Sequence, residues 1–159
     1  MIFVALGTHH QPFDRLVLAA DQLAVALGER VVVQHGATRC PAPHAELVAA
    51  LPPDAFAAHL AEARVVVLHA GSSSFLQARA LGRVPVVVPR DPAHREHVDD
   101  HQLRFARALG PDEAVVSDPP GLLAAVRAHV EVRRRPEDRS AAFCARFGPL
   151  VDGLVRGRR

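Results

Sequence analysis

The 159-residue sequence has the length of one domain, and its 49% of apolar residues can bury a core without disulfide staples. The formal charge is only +2, and no apolar run approaches the ~20 residues that span a bilayer, which excludes a disordered polyelectrolyte and a transmembrane bundle. Trp and Tyr are absent, so no aromatic platform for stacked bases is evident and no nucleic-acid partner is expected.

In chain order, apolar runs alternate with helical periods. Residues 2–6 read as a first strand; without a basic leader, the opening is not expected to be a signal peptide. The polar loop 7–12 follows. A helix is predicted over 13–27, with Leu16, Val17, Ala20, Leu23, Ala24 and Leu27 on one face and Gly28 as its C-cap. Residues 31–33 form a second strand that leaves through Gln34 and Gly36. Residues 45–51 form a weaker third strand, and Pro53 suits the first turn of a helix with its body over 55–63. Residues 65–69 are the fourth strand, leading through a serine-rich turn into a helix over 75–81 that stops at Gly82. A fifth strand (84–88), a charged loop (89–95), a helix (96–109) capped by Gly110, a sixth strand (114–116) and helices over 120–130 and 136–155 complete the chain.

Strands alternating with helices imply a Rossmann-like α/β domain, a parallel sheet with helices on both faces. The valine-only strands agree, because a strand buried on both sides need not alternate with polar residues. We read a single domain over 1–159, with its core in about 1–117 and C-terminal helices in about 118–156. Ligands of such sheets bind beyond the carboxyl ends of the strands. The loops after Leu6, His69 and Val88 leave at that edge.

Gly71, Ser72, Ser73 and Ser74 place backbone N–H groups and hydroxyls at a helix start. Unpaired donors and partial positive charge there attract phosphate, which makes these four residues a candidate diphosphate clamp. The plainer role is an N-cap, with Ser72 or Ser73 satisfying the helix donors. The loop after the first strand has no G-x-G-x-x-G, which argues against an NAD-type enzyme. His94, His97 and His101 have the spacing of one helical face, yet no tight carboxylate or cysteine cluster accompanies them, and no metal is expected. Cys40 and Cys144 are expected to be reduced thiols. The arginines at 133–135 and at 156, 158 and 159 read as a solvated helix end and tail, although such runs also suit nucleic acid or anionic lipid.

Three segments together carry a resemblance to the C-terminal, nucleotide-sugar-binding domain of glycosyltransferase family 28. They are Ile2 to His9 with Gln11-Pro12-Phe13, His69-Ala70-Gly71 through Gly82 to Val88-Pro89-Arg90, and Glu96-His97-Val98-Asp99-Asp100-His101-Gln102. The chain looks most like the single-domain members, the bacterial exopolysaccharide subunits of PssE type and the eukaryotic catalytic subunit that extends dolichol-linked sugar. The resemblance implies the donor-binding half of a GT-B glycosyltransferase, a hexosyltransferase using a UDP-sugar and no cofactor or metal. It implies a membrane-associated acceptor-binding subunit as partner in a heterodimer, a lipid-linked acceptor, and a cytoplasmic location at the membrane face.

It also implies site residues. Gly7 and Thr8 line the cleft loop, and His9 is the candidate base, with His10 as its neighbour. Gln77 stands where the family usually has a Glu for the ribose hydroxyls, and Ser73 where it often has a second Gly. Arg90, Asp99, Asp100 and Gln102 are expected near the base or the sugar. Gln77, a weaker acceptor than a carboxylate, keeps open a second reading: a diverged, non-catalytic nucleotide-sugar-binding or scaffold module.

Overall fold

The computed structural model describes residues 1–129. Along them run β1 (Ile2–Ala5), α1 (Asp14–Leu27), β2 (Val31–Gln34), β3 (Glu46–Val48), α2 (Pro53–Glu62), β4 (Val65–Leu68), α3 (Ser72–Ala80), β5 (Val86–Val87), α4 (His101–Ala108), β6 (Val115–Val116) and α5 (Leu122–Ala128). The strands form one parallel sheet in the order β3-β2-β1-β4-β5-β6.

Alternation along β1 divides the core. Ile2, Val4 and Leu6 pack with Leu16, Val17, Ala20 and Leu23 of α1 and with Leu122 and Val126 of α5. Phe3 and Ala5 point to the opposite face, against Leu60 and Phe56 of α2 and Ala78 of α3. Both faces are therefore buried, as the valine runs foretold. Gly28 ends α1 in the left-handed conformation, and Pro53 sits in the first turn of α2, both as predicted.

Several boundaries differ from the predicted ones, each for a local reason. β3 is shorter than 45–51: it starts one residue late, where the Ala45 amide is held by the Asp21 carboxylate at 3.0 Å, and it ends at Val48. β5 shrinks to two residues beside Pro85, which has no N–H for a ladder. The serines are the first turn of α3, not a loop before it.

The helix predicted over 96–109 begins only at His101. Before it, Asp91 accepts from Ala93 N at 2.8 Å and caps a 3-10 turn, Pro92–His94, that Arg95 ends at φ 58°. His94, His97 and His101 therefore do not share a helical face. The predicted helix 136–155, the arginine runs and Cys144 lie outside the described residues.

Candidate functional site

The chain leaves β1 toward β2 on one side of the sheet, whereas β4 leads to β5 on the other. The loops after β1 and β4 diverge at this switch point, the place where open parallel sheets bind ligands. They enclose a cleft of about 810 Å³. Gly7, Thr8, His9 and His10 line one wall, and Gly71, Ser72, Ser73, Ser74 and Gln77 line another. His69 and Gln34 form the floor side, and His101 and Gln102 reach in from α4. No Asp or Glu lines the cleft among the described residues.

The start of α3 opens into this space without a side-chain cap. The Ser74 hydroxyl donates to the Gly71 carbonyl at 3.1 Å, the reverse of the bond by which a serine caps a helix. The plainer role foreseen for Ser72 and Ser73 is therefore not realised. First-turn amides of an α-helix have no partner within the helix, so those of α3 remain available to an anion. Gln77, one turn further on, donates to the Ser73 hydroxyl at 3.4 Å and is exposed.

His69 supports both turns. Its Nδ1 lies 3.2 Å from the Ala5 carbonyl, so Nδ1 carries the proton and Nε2 keeps its lone pair. The ring is wedged between Gly7 and Gly71: a Cβ on Gly7 would stand 2.5 Å from it, and a Cβ on Gly71 would collide with the same edge. Burial pulls the His69 pKa down to about 4, and the imidazole is neutral at pH 7.

His9 stacks on His10 and His97 with ring centroids 4.5 and 4.2 Å away. Its Nδ1 accepts from the Gln11 amide at 3.2 Å. Burial, followed by the neighbouring His97, lowers its pKa. A neutral ring whose Nδ1 lone pair is occupied carries its proton on Nε2, which leaves His9 without the free lone pair a base requires.

Arg90 does not reach the cleft. It is fully buried, and its guanidinium donates to the carbonyls of Leu6, Gln11 and Glu96 at 2.9, 2.8 and 3.0 Å while lying 5.0 Å over the Phe13 ring. The guanidinium is thus held by backbone carbonyls and not by a ligand. The Glu96 side chain pairs with Arg15, in a two-pronged contact at 2.8 Å, and accepts from the Asp91 amide at 3.0 Å. Arg90 thus ties the loop after β1 to the loop after β5.

Gln102 lines the cleft, but its Oε1 accepts the Arg90 amide at 3.1 Å. Asp99 and Asp100 lie outside the lining: Asp100 pairs with Arg104 at 3.1 Å, and Asp99 binds His101. His69 and Gln34, placed by the sequence only at strand ends, also line the cleft. Gln34 is buried and lines the cleft, and its Oε1 is unpartnered among the described residues. The available signal was its place at the carboxyl end of β2, beside the switch point.

Strand order and the cleft at the switch point together define a Rossmann-like α/β domain with its candidate site at the carboxyl edge of the sheet. More particularly, the chain belongs to the glycosyltransferase family 28 C-terminal domain, whose family model matches residues 1–143. It is similar in structure to CalG4, the calicheamicin glycosyltransferase, with 25% identity and a TM-score of 0.56 over 87% of this chain and 35% of that one. It is also similar to the glycosyltransferase of kitacinnamycin, with 20% identity and a TM-score of 0.57 over 88% of this chain and 36% of that one. The chain thus spans about a third of the length of these enzymes. Comparison with curated protein sequences finds no match. No helix among the described residues is long and apolar enough to cross a membrane.

Proposed function

We propose that this chain is the donor-binding half of a glycosyltransferase that takes a hexosyl group from a UDP-sugar. The observation that carries this reading is the uncapped start of α3, Ser72–Ser73–Ser74, opening into the switch-point cleft. The diphosphate sits on the first-turn amides and serine hydroxyls, and Gln77 receives the ribose one turn along the same helix. A lining without carboxylates suits a doubly charged ligand. As the diphosphate leaves, the helix terminus and the His9 Nε2–H stabilise the charge that develops on it, and no reorganisation of solvent is needed.

The acceptor wall and the general base come from a second, membrane-associated subunit, and the acceptor is lipid-linked, as in exopolysaccharide assembly. One observation supports this division: among the described residues, the cleft offers neither a carboxylate base nor an unengaged His9 lone pair. Residence at the cytoplasmic membrane face follows from that partner. The neutral Gln77 favours a second reading, a non-catalytic nucleotide-sugar-binding module with the same cleft.

Calorimetric titration with UDP and UDP-GlcNAc tests the site. The reading expects binding that Ser74→Ala and Gln77→Ala both weaken. Sugar transfer on adding the acceptor subunit separates the enzyme from the binding module. Binding that neither substitution alters would remove the assignment to α3.

A further inference from the structure

The histidines that do not share a helical face meet by another route. His97, Asp99 and His101 occupy alternate positions of the turn that enters α4, and one ligating atom from each lies within 4.8 Å of the others. His97 Nδ1 is 3.5 Å from the nearer Asp99 oxygen, and His101 Nδ1 bonds that same oxygen. A tetrahedral cation with ligands about 2.0–2.2 Å away holds its donor atoms roughly 3.3–3.6 Å apart, the size of the His97–Asp99 separation. It would replace the hydrogen bonds that the Asp99 amide and carboxylate make to His97 Nδ1 and His101 Nδ1. His97 is buried, whereas Asp99 and His101 are half exposed, so the cluster has one fixed ligand and an open side. His101 also lines the cleft, and the His97 ring lies 4.2 Å from that of His9.

We propose that His97, Asp99 and His101 bind one divalent transition cation of the zinc class at the rim of the cleft. Two imidazoles and a carboxylate select Zn²⁺, Co²⁺ or Ni²⁺ over Mg²⁺ or Ca²⁺, which demand more oxygen ligands. Three protein ligands leave a coordination position for water or an anionic ligand. The family resemblance implied no metal; this inference rests on the residues of this chain and stands apart from the nucleotide reading.

Equilibrium dialysis of the untagged full chain against Zn²⁺, with Co²⁺ absorption spectra as a geometric readout, tests it. One equivalent is expected, with Co²⁺ bands of a site of low coordination number. His97→Gln and His101→Gln should each weaken binding by roughly ten-fold or more, the loss that even an outer partner of a metal ligand brings. His94→Gln and His44→Gln should leave it unchanged. His101 is half exposed, so its variant keeps the fold, which circular dichroism verifies. Absence of stoichiometric binding, or binding insensitive to His101→Gln, overturns the proposal. Neither result bears on UDP binding, which is measured without metal.

Discussion

The imidazole of His69 occupies the space that a Cβ on Gly7 would need, with Cε1 and Nε2 2.5 Å from that position. Gly7 also sits at φ 74°, where L side chains are strained. Gly7→Ala should therefore cost about 2–4 kcal/mol, from the backbone penalty and the displaced ring together. Urea denaturation measures it. Gly28→Ala is the control: it shares a positive φ but has open space around it, so only the backbone part should be seen.

His69 is also an acid-sensitive element. Its pKa is about 4 in the fold against 6.5 when unfolded. Between those values the unfolded chain binds the additional proton, so stability falls as the pH falls, by about 3 kcal/mol in all. Burial lowers the pKa values of His9 and His97 too, and they add to the same slope. Unfolding midpoints measured from neutral pH to about pH 4 should show this slope, and His69→Gln should flatten it without abolishing it.

Glu29 acts further into acid. Arg64 at 2.6 Å and the N-terminal ammonium at 2.8 Å hold its carboxyl at about 2 against 4.5. Its contribution is present above 4.5 and lost as the pH falls toward 2. Glu29→Gln should cost about 1 kcal/mol at neutral pH, since the pair is partly solvated, and should remove that acid step from a pH series of thermal melts.

Arg90 serves the architecture of the site. Arg90→Met leaves the carbonyls of Leu6, Gln11 and Glu96 without their guanidinium donor. A loss of about 3 kcal/mol or more is expected, at about 1 kcal/mol or more for each buried acceptor left unpaired. Arg90→Lys should recover little, because one ammonium cannot reproduce the planar fork. A variant that kept full stability but lost UDP affinity would return Arg90 to the ligand.

Gln77 tests the nucleotide reading in the opposite direction. Gln77→Glu supplies a carboxylate for two ribose hydroxyls, and charged hydrogen bonds exceed neutral ones by about 1 kcal/mol. UDP affinity should rise by about five-fold in calorimetry, with little change in the melting temperature at this exposed position.

The sequence alone determined the sheet and its ligand edge. Valine runs, helical periods, Gly28 and Pro53 are local signals, and the order of elements constrains a parallel sheet to few topologies. The serine-rich start of α3 was legible for the same reason: its donors belong to consecutive residues. What only the tertiary structure decided depends on contacts across many residues. Arg90 looked like a ligand-facing cation until its partners Leu6 and Gln11 appeared, 84 and 79 residues away. The late start of α4 follows from Asp91, Arg95 and the inward turn of Glu96 to Arg15, an ion pair joining residues 81 apart. The wedge of His69 between Gly7 and Gly71, the occupied lone pair of His9 and the convergence of His97, Asp99 and His101 share that origin. A side chain's chemistry is fixed by its neighbours in space, and no local period records them.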